Sequence, residues 1–138
     1  TPEEMYSFNN FGITITHPIY FQKTNRQNNK NNTIMCEYVW EDIALSYIFQ
    51  LLPSTREFSN KEYMDAALKN IPINEIISSS YENSGAYCSI FKSRNRTIMC
   101  KVFNKEYKSY GLIYFDIPSE KENILYMMKF NDLISYKF

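Results

Sequence analysis

Residues 86–117 read AYCSIFKS (86–93), RNRT (94–97), IMCKVFN (98–104), KEYKS (105–109) and YGLIYFDI (110–117). Three runs of β-branched and aromatic residues are separated by short polar segments. This pattern predicts consecutive antiparallel strands, because such side chains fit a pleated surface and the polar segments turn the chain. The apolar sets are Ala86/Cys88/Ile90, Ile98/Cys100/Val102 and Ile113/Phe115/Ile117. For the first two to share a face, the hairpin between them needs an odd-numbered loop around Arg94. That register sets Cys88 opposite Cys100 or one step from it. Two readings stay open for the pair: buried thiols packing as small hydrophobes, or a cross-strand disulfide in an oxidising compartment.

A sheet this apolar has to be covered, and the sequence on either side supplies two helices. Ser59-Asn60-Lys61-Glu62 is a capping box, in which the Ser59 hydroxyl and the Glu62 carboxylate satisfy each other's backbone amides. Phe58 and Tyr63 occupy the hydrophobic-staple positions. Met64, Ala67, Leu68 and Ile71 form one stripe, and Pro72 stops the helix. A second box, Ser119-Glu120-Lys121-Glu122, opens a helix with Ile124, Leu125, Met127 and Met128 as its apolar face. Residues 133–138 alternate and read as an extended tail returning to the sheet.

Upstream, residues 1–10 form an N-terminal arm, and Gly12 to His17 alternates as a first strand that Pro18 ends. Residues 23–32 (KTNRQNNKNN) are polar and unpatterned, which predicts a mobile surface loop. Lys23, Arg26 and Lys30 in it are the candidate partner surface, against a plain solvated loop. Thr33 to Trp40 and Asp42 to Leu52 read as a strand pair, with Glu41-Asp42 either the connection or a bulge in one long strand. Residues 75–81 add another strand. The whole chain is thus expected to be a single α+β domain: an antiparallel sheet of about six to seven strands covered by two main helices, 59–71 and 119–131.

Composition bounds the function. A chain of 138 residues is one domain's worth, enough for one buried core. A hydrophobic fraction of 44% argues against disorder. Lys+Arg and Asp+Glu balance at 15 each, which gives no general reason to expect nucleic acid. The longest apolar runs are too short to span a bilayer. Cys36, Cys88 and Cys100 form no C-x-x-C pair, so zinc-site spacing is absent. His17 is the only histidine and has no local Ser, Cys or carboxylate partner, so a structural role is the simpler reading. No catalytic, cofactor or metal residue is assigned.

The element order resembles the Mog/PsbP-like superfamily. The likeness rests on Phe11-Gly12-Ile13-Thr14-Ile15-Thr16-His17-Pro18 as an opening segment and on Glu41 to Tyr47 as a second-pair strand. Glu75-Ile76-Ile77 through Gly85-Ala86-Tyr87, Gly111-Leu112-Ile113-Tyr114 and the tail Leu133 to Phe138 extend it. The resemblance implies an antiparallel sheet sandwiched by helices, no enzymatic activity and work by binding other proteins, and it transfers no functional residue. The expectation is a non-enzymatic protein-interaction or structural module of an exported or lipid-anchored bacterial protein. The chain opens without Met, so a removed leader would place it in the periplasm or at the surface; otherwise it is cytoplasmic. Two alternatives accompany this reading: a carrier of a small apolar ligand held between sheet and helix near Met64, Met127 and Met128, and a cysteine-dependent enzyme or redox protein.

Overall fold

Alternating burial marks the strand segments Ile13–Pro18, Ile43–Leu51 and Tyr87–Ser93. The computed structural model describes residues 4–30, 32–53, 55–81, 85–121, 132 and 134–138. Of these, 63% are in strands and 9% in helices. The fold is therefore mostly β, and the expected α+β sandwich with two main helices, with the Mog/PsbP-like architecture attached to it, is corrected.

Among the described residues, ten strands and one α-helix follow in the order β1 (Met5–Asn10), β2 (Ile13–Pro18), β3 (Gln22–Lys30), β4 (Thr33–Trp40), β5 (Ile43–Leu51), α1 (Asn60–Ala67), β6 (Glu75–Tyr81), β7 (Tyr87–Ser93), β8 (Arg96–Lys105), β9 (Ser109–Pro118) and β10 (Ser135–Lys137). They build a seven-stranded antiparallel sheet, ordered β3-β4-β5-β9-β8-β7-β6, and a three-stranded sheet, β1-β2-β10. Two meanders, β3 to β5 and β6 to β9, meet where β5 pairs β9. The crossover between them carries α1.

Two polar segments expected to be irregular are strands. The arm contains β1, and its hairpin to β2 turns at Phe11 (φ 54) and Gly12 (φ 80), two positive angles in the pattern of a type I′ turn, which glycine accommodates. Residues 23–30 of the Asn-rich loop lie in β3, paired with β4 and carrying a register irregularity between Lys23 and Gln27. As the outermost strand it has little apolar surface to bury, so no hydrophobic alternation marks it, and its lysines suit an exposed edge.

The two faces of the large sheet carry separate cores. On one face, Leu45, Tyr47, Phe49, Ile113 and Phe115 pack against Ile13 and Ile15 of the small sheet. On the other, Phe91, Ile98, Cys100, Val102 and Leu112 pack under Met64 and Leu68 of α1. Full burial of such a side chain contributes about 1.5–3 kcal/mol.

Helix α1 keeps its predicted start. Ser59 Oγ accepts from the Glu62 amide at 3.0 Å, and the Ser59 amide donates to Glu62 Oε1 at 3.1 Å. It ends earlier than expected, with Leu68 as its C-cap. Pro72 disfavours the helical conformation for Ile71 before it, and the Ile71 amide instead bonds the Leu68 carbonyl at 2.9 Å, an i to i−3 turn. Of the second helix, Ser119–Lys121 form a single 3₁₀ turn, and the rest of that prediction lies outside the described residues.

Candidate functional site

Helix α1 is short, and among the described residues the far part of the sheet face beneath it stays open. The rungs of β4, β5 and β9 there are Met35–Ile48–Leu112, Glu37–Ser46–Tyr114 and Val39–Ala44–Asp116. The central strand contributes the small residues Ala44 and Ser46 between larger neighbours on either side, so the sheet surface dips. The result is a groove of about 370 Å³ between the sheet and the Ala67–Leu68–Ile71 end of the helix segment. Met35 at its border is 36% exposed.

Charge closes the groove on two sides. Arg26 reaches Glu37 at 3.6 Å. Arg96 pairs with Asp116, and its Nη2 also donates to the Asp42 carbonyl at 2.8 Å and the Asp116 carbonyl at 3.2 Å. Burial pushes the Asp116 carboxyl up from its ordinary range, and the Arg96 hydrogen bond and charge oppose that. Burial first, and then the charge of Asp116, raise the Tyr114 phenol to about 12. The groove thus offers an apolar floor, hydroxyls and two ion pairs, which suits recognition by contact.

The opposite face holds the histidine. His17 is 1% exposed and its Nδ1 hydrogen-bonds the Tyr47 hydroxyl. Its ring lies 4.4 Å from that of Tyr38 and 5.4 Å from that of Tyr6, centroid to centroid. Burial lowers its pKa from 6.5 to about 4, so it is neutral at pH 7. Burial likewise pushes up the phenols of Tyr38 and Tyr47 and the thiols of Cys36 and Cys100. A protonated, buried thiol is a poor nucleophile. Among the described residues no group of three His, Cys, Asp or Glu side chains is placed to hold a metal ion.

The sequence-derived candidates are scattered by this topology. The β7–β8 hairpin turns through two residues, Arg94 and Asn95, pairing Ser93 with Arg96, where an odd-numbered loop was expected. Arg94 adopts φ 56 to make that tight turn. The even loop sets Ser89 opposite Cys100 and Cys88 opposite Lys101, so the Cys88 and Cys100 thiols emerge on opposite faces of the sheet. No cysteine is in a disulfide. On β3, Lys23 stands opposite Tyr38 on the small-sheet side, whereas Arg26 reaches Glu37 on the helix side. Lys30 lies opposite Thr33, also toward the helix side. The three cations therefore make no single patch. Sequence reasoning missed the groove residues; small Ala44 and Ser46 on the less apolar face of β5 were the available signal.

No protein-family model matches the chain, and no curated protein is significantly similar to it. Among the described residues no helix is long and apolar enough to cross a membrane.

Proposed function

We propose that this chain is a non-enzymatic protein-interaction module of an exported or lipid-anchored bacterial protein, and that it recognises its partner with the groove beside α1. The observation that carries the reading is the Ala44–Ser46 depression, flanked by exposed Met35 and bordered by the Arg26–Glu37 and Arg96–Asp116 pairs. An apolar centre with a charged rim is how interfaces are commonly built. The buried, protonated thiols and the neutral histidine support a non-catalytic role. The test is Ala44→Trp, which fills the depression from a half-buried position, in a cross-linked pull-down from the host. With folding checked by circular dichroism, the variant loses the protein captured by the parent. Equal capture by both sinks the reading.

The volume of the groove favours a second reading, a carrier of a small apolar ligand, since ligand pockets begin at roughly 300 Å³. Native mass spectrometry of the purified chain separates the two. A co-purifying small molecule displaced by Ala44→Trp supports the carrier.

A further inference from the structure

On the small-sheet side, independent of the groove, a pocket of about 250 Å³ opens between β2 and the β3–β4 edge, lined by Tyr6, His17, Ile19, Phe21, Lys23 and Tyr38. Its walls are rings: His17 contacts Tyr6, Phe21 and Tyr38 at centroid distances of 5.4, 6.1 and 4.4 Å. A cavity of about 150 Å³ with apolar walls accommodates benzene, so this one has room for a single ring and its substituent. The lining carries one charge, the Lys23 ammonium, and no acidic side chain among the described residues. Arg26, three residues along the same strand, is turned to Glu37 on the other side of the sheet. With Nδ1 of His17 engaged by the Tyr47 hydroxyl, Nε2 is the ring nitrogen left for a ligand.

We propose that this pocket binds a small aromatic carboxylate, its ring held among Tyr6, Phe21 and Tyr38 and its carboxylate accepting from Lys23 Nζ and from His17 Nε2–H. The charge decides the class. An aromatic cage open to a cation would present ring faces without an ammonium beside them, and a phosphate-sized polyanion site would gather several cations and backbone amides. Here one cation stands at an aromatic pocket, which matches a monoanion with a flat apolar body. Tyr6 is 44% exposed on the outer strand of the small sheet, so it is free to be replaced without emptying the core.

The test uses benzoate, benzyl alcohol and benzylammonium as probes of one shape and three charges, titrated into the full chain at low salt and followed by amide and histidine-ring nitrogen shifts. The expected order of affinity is benzoate, then benzyl alcohol, then benzylammonium, with the His17 ring signal moving on benzoate addition. Lys23→Gln lowers benzoate affinity by about fivefold, the size of a solvent-accessible charge contact, and leaves benzyl alcohol unchanged. Tyr6→Ala weakens benzoate and benzyl alcohol alike. Absence of binding at millimolar benzoate, equal affinity for the three probes, or unchanged benzoate binding in Lys23→Gln overturns the proposal. Shifts confined to the Ala44–Ser46 groove also overturn it, and leave the interaction reading untouched.

Discussion

The two faces of the large sheet come from the same strands and are finished in opposite ways. Along β5, Leu45, Tyr47 and Phe49 point toward the small sheet and are 0% exposed. The residues alternating with them, Ala44, Ser46 and Ile48, point toward α1 and stay half-buried. One face is covered by a second sheet whose buried side chains interlock with aromatic rings. The other is crossed by an eight-residue helix that packs on β8 and, among the described residues, leaves the Ala44–Ser46 stretch of β5 and its neighbours on β4 open. A side chain on the first face serves stability, and under the proposed function its neighbour one position along serves recognition. Period-two alternation is enough to separate the two tasks.

The comparison breaks most readily at adjacent positions of β5. Phe49→Ala, which empties a fully enclosed site, is expected to cost about 3–5 kcal/mol in chemical denaturation, and Ile48→Ala about 1 kcal/mol. Equal losses would mean that the helix side is as well packed as the other.

Acid tests the covered face separately. His17 has a folded pKa of about 4, below its ordinary 6.5, so folding favours the neutral ring. Its contribution is complete above pH 6.5 and is lost as the pH falls toward 4, because the unfolded chain takes up the proton first. The shift corresponds to about 3 kcal/mol. Denaturation midpoints measured across pH 7 to 4 should fall steeply in the parent and less in His17→Gln, with each compared with its own value at pH 7.

Gly111 offers a smaller and more local effect. A Cβ there would collide with Phe103 Cε2, and the Phe103 ring is stacked on Tyr136 at 3.8 Å. Gly111→Ala must push the ring out of that stack and is expected to cost about 1–3 kcal/mol, with a visible change in the near-ultraviolet circular dichroism. On the helix side, Ser59→Ala removes one arm of the capping box and is expected to cost about 1 kcal/mol. An unaltered melting temperature would show that packing alone holds the start of α1.

The meander from Tyr87 to Pro118 and the Ser59–Glu62 box were legible because their signals are local: branched and aromatic runs in one case, a four-residue reciprocal motif in the other. The strands Met5–Asn10 and Gln22–Lys30 were not. Edge strands bury little, and a segment such as TNRQNN is drawn into the sheet by pairing with β4 rather than by its own propensity. Missing them turned a two-sheet, mostly β fold into an α+β reading. The hairpin error at Arg94 had a sharper consequence, since a one-residue change of register sends a whole apolar set to the other face. It is what placed Cys88 and Cys100 together in the sequence reading. The contact between His17 and Tyr47 joins residues thirty apart and has no signature in either segment. The groove was half-visible, as the alternation of Ala44, Ser46 and Ile48, but its depth depends on the shortness of α1.

The central claim is that the helix-side face, and not the covered one, meets the protein partner. Photo-cross-linking from the full chain in its host tests it most directly, with benzoylphenylalanine placed at Met35 beside the groove or at Ile19, which is 50% exposed on the other side. The account predicts a discrete protein adduct from position 35 and none from position 19. An adduct from position 19 alone, or the same adduct from both, would contradict it.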